Sequence, residues 1–364
     1  MIIILFLFII HLFFGLLIEN VRSRTLTFLI NLSLFAAIIY FTVGITYTAD
    51  WFMYSWIYDK GDDNTDFVFF ELSKIFNGLN LEYESLFIFH ILASLLIFWF
   101  IISRFTRNYF YVFLVYLLLD YVHFTNQIRY YLGFPIILTG YYYLFYKKNY
   151  IISVILISVS LLCHVGLASL LVFIPAFYLI TLRNFIKYIF LGSLVLALLV
   201  FLLMQGGLAL MLDHYDAYFS SEYDSSFIGG IFNGLPYMIY YSFILIEIPK
   251  LIKRKIIEDP LKYELLFKLT FFSLLFLPGS FFLQILGHRY IMPFVIFWVI
   301  FYLYLVRDLP QKQKLFKMIV FGIVHFLAIF SIYILPDYLL PQNHFMEQLE
   351  YTIQSIPYLK DLFF

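Results

Sequence analysis

Long apolar runs alternate with short polar stretches along nearly the whole chain. Runs of about 17–25 apolar residues can cross a bilayer as helices, whereas surface helices of soluble proteins carry only an apolar stripe. The pattern therefore predicts about twelve transmembrane helices. They cover residues 1–18, 28–44, 86–103, 109–124, 129–146, 150–164, 166–181, 185–204, 235–249, 269–286, 290–306 and 316–335. Several of these runs are short for a full crossing, so we expect some helices to tilt or break.

The most polar interruption of this pattern lies at residues 120–135, DYVHFTNQIRYYLGFP. It places an acid, an imidazole, two amides and a guanidinium between two apolar runs. Polar groups at membrane depth are costly, so they usually face a cavity and serve a function. A wet connection between two helices would account for Asp120 and Asn126, but it accounts poorly for Arg129.

Composition agrees with the pattern. Of 364 residues, 63% are hydrophobic, 23% aromatic and 13% charged, and the mean hydropathy is +0.92. A soluble domain cannot bury that much apolar surface, so we expect an all-α, polytopic membrane protein. No linker or internal repeat divides it, which predicts one membrane domain over residues 1–364. The single cysteine, Cys163, excludes an internal disulfide.

The basic residues fall in alternate loops. Of the 23 Lys and Arg, all but five lie in or beside these alternate loops. Because basic residues are concentrated on the cytoplasmic side of a membrane protein, we expect these loops to be cytoplasmic. Both termini then lie outside, together with three outer segments, 45–85, 205–234 and 336–364. The five basic residues on the outer side are Lys60, Lys74, Arg129, Arg289 and Lys360.

The two arginines among these five residues have similar surroundings in the sequence. Arg129 and Arg289 are each followed by a tyrosine and, within two helical turns, by a proline, Pro135 or Pro293. Proline frees backbone groups, which is tolerated where a helix lines a cavity. Guanidinium binds phosphate oxygens through two parallel hydrogen bonds. We therefore favour anion binding over the alternative, in which both side chains extend to the lipid head groups.

Acids and histidines near the outer side are candidates for a general base. Asp50 and Glu71 lie among aromatic residues, and the spacing after Asp66 predicts a helix along the membrane surface. His164 lies between two predicted helices, and imidazole can accept a proton near neutral pH. A structural role is the alternative for each. The histidines show no metal-ligand spacing, so we expect neither a metal nor a cofactor.

Two pairs of polar residues have helical spacing next to the arginines. Gln284 and His288 are four residues apart on one face of a predicted helix that ends at Arg289. His123 and Gln127 have the same spacing before Arg129.

Several of these stretches resemble the EpsG family of Wzy-type polysaccharide polymerases. The resemblance extends roughly from the second predicted helix to the eleventh. It rests on the following stretches: Asp50-Trp51-Phe52-Met53-Tyr54 with the later Glu71, Gln127-Ile128-Arg129-Tyr130-Tyr131-Leu132, the short helix that ends at His164, and Gly287-His288-Arg289-Tyr290.

The resemblance implies a GT-C-like membrane glycosyltransferase of the bacterial inner membrane with its active site facing outward. Such enzymes transfer a growing glycan from undecaprenyl diphosphate onto another lipid-linked oligosaccharide repeat unit. The partners are then these lipid-linked oligosaccharides and the bilayer, with a chain-length regulator protein as a possible addition and no nucleic acid. The leaving group is a lipid diphosphate, and arginines stabilise its charge without a metal.

The residues divide into three expected roles. Arg129 and Arg289 bind the diphosphate, and His164, Asp50 or Glu71 acts as the base. The predicted substrate contacts are Tyr54, His123, Gln127, Tyr130, Gln284, His288 and Tyr290.

Three other activities stay open at this point. A flippase for lipid-linked oligosaccharides would also place arginines in a cavity, but transporters usually carry a repeated half-domain, which the sequence lacks. A ligase would transfer the glycan to a different acceptor with much the same residues. A polyprenyl-phosphate-sugar transferase would need catalytic acids in its first outer segment, where Asp50 lies.

Overall fold

The structure is a computed structural model that describes residues 23–61, 66–206, 227–252, 257–339 and 345–357. Within these ranges the elements are helices and there is no β-strand, which confirms the predicted all-α class. The helices are α1 (Arg24–Val43), α2 (Trp51–Lys60), α3 (Phe67–Gly78), α4 (Tyr83–Phe105), α5 (Tyr109–Asn126), α6 (Ile128–Tyr141), α7 (Tyr150–Cys163), α8 (Phe173–Leu179), α9 (Phe185–Gly206), α10 (Phe227–Ile252), α11 (Pro260–Phe272), α12 (Gln284–Tyr290), α13 (Val295–Val306), α14 (Gln311–Ile329), α15 (Leu335–Leu339) and α16 (Phe345–Gln354). Short 3₁₀ or π turns extend or join several of them, at Tyr142–Lys147, Val165–Val172, Leu182–Asn184, Ser273–Phe276, Gly279–Phe281, Met292–Phe294 and Phe330–Ile334.

Six helical segments in the described ranges are long and apolar enough to cross a membrane. They are Thr25–Val43, Tyr83–Phe105, Leu182–Leu202, Gly229–Ile252, Gln284–Val306 and Gln311–Ile334. Two shorter apolar segments are Tyr150–Cys163 and Val165–Leu179. The chain is therefore a multi-pass helical membrane protein. The predicted first helix, 1–18, lies outside the described residues, and the count of twelve and the outward termini stay predictions.

The chain divides into two compact units. The N-terminal unit comprises the described residues up to Leu171 and those from Met346 onward, and the C-terminal unit comprises Val172–Phe345. Each unit is described by itself below. The prediction that residues 1–364 form one membrane domain stays a prediction.

Close helix packing holds the N-terminal unit together. A Cβ added at Gly133 in α6 would lie 2.4 Å from Cδ1 of Leu167 and 2.9 Å from the carbonyl oxygen of Ser160 in α7. Only glycine therefore lets α6 approach its neighbours this closely. On α4, the ring of Phe98 contacts the rings of Tyr116 and Phe134, so aromatic side chains fill the space between α4, α5 and α6.

Segment 45–85, which is predicted to lie outside, contains two short helices, α2 and α3. α2 ends at Lys60, and the next residue, Gly61, has a φ of 64°, in the left-handed region that glycine adopts without strain. α3 confirms the helix predicted from the spacing after Asp66, while its place on the membrane surface stays a prediction. Asp62 and Asp63 lie outside the described residues, as do most of segment 205–234 and the last residues of segment 336–364.

The C-terminal helix packs against the segment that leads into α2. Thr46 Oγ1 donates a hydrogen bond to the Ser355 carbonyl oxygen at 2.7 Å. The rings of Tyr47 and Tyr351 meet edge to face with centroids 4.6 Å apart. These contacts restrain the chain immediately before Asp50.

Two sequence predictions in the C-terminal unit are wrong. The predicted helix 269–286 is not continuous, because α11 ends at Phe272 and short 3₁₀ turns around Pro278 separate it from α12. Lys268, assigned to a cytoplasmic loop, lies inside α11 and is 1% exposed. Its ammonium donates to the carbonyl oxygens of Phe177 and Ile180 at 2.6 and 2.8 Å and pairs with Glu264 at 2.7 Å. Since a buried charge needs partners, this lysine caps the C-terminus of α8.

Candidate active site

The polar stretch contains the junction between two helices, α5 and α6. α5 ends at Asn126, Gln127 lies in the break, and α6 begins at Ile128. His123 and Gln127 therefore do not share one uninterrupted helix, although their spacing predicts a common face. The Asn126 side chain reaches α2 instead: its Oδ1 accepts the Asp50 N–H at 2.6 Å, and its Nδ2 donates to Asp50 Oδ2 at 2.9 Å. These two bonds tie the N-terminus of α2 to the junction of α5 and α6.

Arg129 lies in the first turn of α6, and most of its side chain is enclosed by protein. The side chain is 17% exposed, and Nη1 lies 3.0 Å from Oδ2 of Asp66. The guanidinium carbon lies 4.9 Å from the ring centroid of Tyr54 and 5.7 Å from that of Phe69. A guanidinium over aromatic faces is stabilised by the ring quadrupole as well as by its carboxylate partner. The arginine is therefore held in a defined place by α2 and by α3 together with its N-cap residue, Asp66.

Asp66 links Arg129 to a second part of the site. It is the N-cap residue of α3, and its Oδ1 accepts a hydrogen bond from the Val165 N–H at 3.3 Å. Its other oxygen faces Arg129. One carboxylate thus bridges the first turn of α6 and the turn that follows α7.

His164 begins that turn. It has an extended backbone after α7, and its Nδ1 accepts a hydrogen bond from the Gly166 N–H at 3.0 Å. The ring meets Tyr130 edge to face, with centroids 5.4 Å apart. A neutral imidazole has one nitrogen that accepts and one that donates. Because Nδ1 accepts here, the proton of the neutral ring lies on Nε2, which makes Nε2 a donor.

These contacts assemble several of the predicted residues. Asp50 and Tyr54 are one turn apart on α2, where the Tyr54 N–H donates to the Asp50 carbonyl oxygen at 3.0 Å. Tyr54 contacts Arg129, and the Asp66 carboxylate connects Arg129 with the residue after His164. We call this set the Arg129 cluster, and its members are Asp50, Tyr54, Asp66, Asn126, Arg129 and His164.

Glu71 has a different environment. Its carboxylate pairs with Lys74 at 2.9 Å, and the two side chains are 42% and 53% exposed. Lys74 in turn lies over the ring of Phe70. A pair this exposed contributes little to stability and resembles an ordinary helix-surface ion pair.

Two predicted substrate contacts lie in the interior of the N-terminal unit. His123 is 5% exposed, with Nδ1 3.6 Å from Oδ1 of the fully buried Asp120. Oδ2 of Asp120 accepts hydrogen bonds from the hydroxyls of Tyr131, at 2.6 Å, and Tyr116. Tyr130 is 1% exposed and stacks on Phe134. His123 and Tyr130 therefore support the junction of α5 and α6 through packing, and direct substrate contact by either stays a prediction.

The second arginine lies in the C-terminal unit. α12 carries Gln284 and His288 on one uninterrupted helix and ends just after Arg289, as the spacing predicts. A Cβ added at Gly287 would lie 2.7 Å from Cε2 of Tyr237, so the tyrosine packs directly on the backbone beside His288. Tyr290 stacks on Phe276, with centroids 4.9 Å apart. Gln284 is exposed, while His288, Arg289 and Tyr290 are half-buried.

Pro135 and Pro293 differ in their effect. α6 continues through Pro135, whereas Pro293 lies in the 3₁₀ turn that separates α12 from α13. The similarity of the two arginine motifs in sequence thus does not extend to the backbone that follows them. No cluster of three or more His, Cys, Asp or Glu suited to a metal ion occurs among the residues that the structure describes.

The sequence reasoning missed two members of the Arg129 cluster. Asp66 and Asn126 are short polar residues at a helix start and a helix end, where they ordinarily form local caps. Their partners are Arg129 and Val165 for Asp66, and Asp50 for Asn126, each more than a helix away along the chain. Asn126 adjoins Gln127 and Asp66 precedes Glu71 by five residues, but neither position indicates the distant partner.

The fold and these contacts define a multi-pass helical membrane protein with a partly enclosed arginine among carboxylates, an amide and an imidazole. The family model for the EpsG family matches residues 29–344. The chain therefore belongs to the EpsG family, whose members are Wzy-like polysaccharide polymerase-type membrane proteins. A search of curated proteins finds no match, and no solved structure matches.

Proposed function

We propose that this protein is a membrane glycosyltransferase that polymerises undecaprenyl-diphosphate-linked oligosaccharide repeat units. The reaction takes place at the outer face of the bacterial cytoplasmic membrane and releases the lipid diphosphate. Membership of the EpsG family and the multi-pass helical fold support the class of protein. The lipid-linked oligosaccharide serves as both donor and acceptor.

The observation that carries the proposal is the environment of Arg129. Its guanidinium is mostly enclosed, faces aromatic rings and pairs through Nη1 with the Asp66 carboxylate. Glycan transfer leaves negative charge on the diphosphate as the bond to the sugar breaks. A fixed guanidinium stabilises such charge far better in a low-dielectric site than it would in water. Arg289 is proposed as a second diphosphate-binding residue, carried by the C-terminal unit.

We assign the general base to Asp50 rather than to His164 or Glu71. The lone pair on Nδ1 of His164 accepts the Gly166 N–H, and Nε2 then carries a proton. Glu71 is half-exposed and paired with Lys74. A carboxylate has about four lone-pair sites, so Asp50 can accept the hydrogen bond from Asn126 and also a proton from an acceptor hydroxyl. His164 then serves as a hydrogen-bond donor to the substrate.

The test is the set of lipid-linked glycans that accumulates when the gene is deleted and restored. The proposal predicts single lipid-linked repeat units on the outer face of the membrane in the deletion strain. Restoring the wild-type protein should restore long chains on the lipid, and restoring the Arg129→Lys variant should not. Repeat units trapped on the inner face would instead identify a flippase. Long lipid-linked chains without transfer to a final acceptor would identify a ligase.

A further inference from the structure

The Asp66 side chain does not form the N-cap hydrogen bond that its position at the start of α3 favours. An aspartate at a helix N-cap usually accepts a hydrogen bond from a backbone N–H in the first turn of its own helix. Asp66 is the N-cap residue of α3, with extended backbone angles, yet its side chain makes no such bond. Both carboxylate oxygens are directed to other elements of the N-terminal unit.

The two oxygens hold two different parts of the Arg129 cluster. Oδ2 lies 3.0 Å from Nη1 of Arg129, and Oδ1 lies 3.3 Å from the Val165 nitrogen. The Asp66 side chain is 14% exposed and that of Arg129 is 17% exposed, so the ion pair is largely shielded from water, whereas the bond to Val165 is exposed. Charge-assisted contacts in such surroundings are stronger than surface ion pairs. Rotation of the guanidinium would break the first contact, and displacement of the turn after His164 would break the second.

We propose that Asp66 is a positioning residue that fixes the Arg129 guanidinium and the His164–Val165 turn relative to each other. This inference rests on the proposed function, because it takes Arg129 as a diphosphate-binding residue. Asp66 does not contact the reacting atoms. It restricts the orientation of the guanidinium, so that the guanidinium meets the diphosphate in one geometry.

A competing role for the same contact would be that of an internal anion that blocks the arginine. The geometry favours positioning over blocking. An anion that only blocked the arginine would not need the bond between Asp66 and Val165. That bond is expected for a group that aligns two elements.

The test compares Asp66→Asn and Asp66→Glu with the wild-type protein in chain extension from lipid-linked repeat units in nanodiscs. Asparagine has the shape of aspartate and keeps an oxygen that can accept the Val165 N–H, but it removes the carboxylate that faces Arg129, so rates are normalised to folded protein. We expect its kcat per folded protein to fall by about ten- to a hundredfold, the range for loss of a charge-assisted hydrogen bond, with little change in KM. Asp66→Glu keeps the charge and should recover part of this loss. Asp59→Asn, an exposed acid on α2, is the matched control and should behave as wild type.

A double-mutant cycle separates positioning from a general structural role. If Asp66 acts through Arg129, Asp66→Asn should cost little further activity in an Arg129→Lys background. Additive losses would overturn the inference, and so would wild-type kcat in Asp66→Asn. A higher kcat/KM in Asp66→Asn would also overturn it, since Asp66 would then be a blocking anion. If the wild type and Asp59→Asn extend no chains, the proposed function fails and the inference falls with it, a result distinct from failure of Asp66 alone.

Discussion

The substitution Arg129→Lys tests whether the proposed mechanism depends on the shape of the guanidinium as well as on its charge. Lysine keeps the positive charge and can still pair with Asp66, which lies 3.0 Å from Nη1 of the arginine. It loses the planar fork that grips two phosphate oxygens and the flat face that lies 4.9 Å from the Tyr54 ring centroid. The variant should therefore insert and fold, because no buried carboxylate is left without its cation.

The expected loss is mainly in kcat. A donor aimed at charge that develops in the transition state contributes about 3 kcal/mol, or about a hundredfold in rate. Ground-state binding of the lipid diphosphate depends more on net charge, so KM should change much less.

The assay follows chain extension by purified protein in nanodiscs, with repeat units on undecaprenyl diphosphate, and normalises the rate to folded protein. Arg107→Lys is the matched control, because Arg107 is exposed between α4 and α5 and no predicted site residue is nearby in the chain. Wild-type kcat in Arg129→Lys would refute the reasoning, since charge alone would then suffice. A loss of the same size in Arg107→Lys would also refute it.

Three further predictions concern the base, the fold and the orientation. Asp50→Asn should lower kcat by about a hundredfold or more, as for a general base, while His164→Gln, which keeps a donor, should retain part of the activity; the reverse order would move the base to the histidine. Gly133→Ala should destabilise the protein by about 1–3 kcal/mol, because the added carbon meets atoms 2.4–2.9 Å away. The loss should appear as a lower thermal midpoint in detergent, and Gly78→Ala, which has open space around it, should leave the midpoint unchanged. A cysteine replacing Asp59, in protein without its native cysteine, should react with an impermeant maleimide in intact cells; reaction only after lysis would reverse the predicted orientation.

The sequence predicts the parts of the fold that depend on local pattern. Apolar length identifies the membrane class, and the spacing after Asp66 identifies α3. The four-residue spacing of Gln284 and His288 correctly predicts a helix that ends beside Arg289. These predictions succeed because hydrophobicity and helical period are properties of neighbouring residues.

The parts that fail depend on contacts across the chain. The charge pattern assigns Lys268 to a loop. In the structure its ammonium donates to carbonyl oxygens at the end of α8, which lie about 90 residues away in the chain and become neighbours only on folding. The roles of Asp66 and Asn126 likewise depend on distant partners and leave no local signature. The break of the predicted helix 269–286 is different, since the dipeptide Pro278-Gly279 is a turn signal that the apolar run concealed.

The base assignment shows how a single contact changes a prediction. Residue type and position favour Asp50, His164 and Glu71 alike. The Gly166 N–H on Nδ1 makes the neutral His164 ring a donor at Nε2, and the Lys74 partner places Glu71 in an exposed ion pair. The contact of His164 depends on the turn that follows α7, whereas Glu71 and Lys74 are three residues apart on the predicted helix, a spacing that allows an ion pair.

The central claim is that this protein alone joins lipid-linked repeat units and releases the lipid diphosphate. The most direct measurement follows both products from purified wild-type protein in nanodiscs, with and without EDTA. The account predicts a ladder of longer lipid-linked chains, with one undecaprenyl diphosphate released for each bond formed. Because arginines stabilise the leaving group, EDTA should change neither product. Absence of both products, or their loss in EDTA with recovery on adding magnesium, would contradict the account.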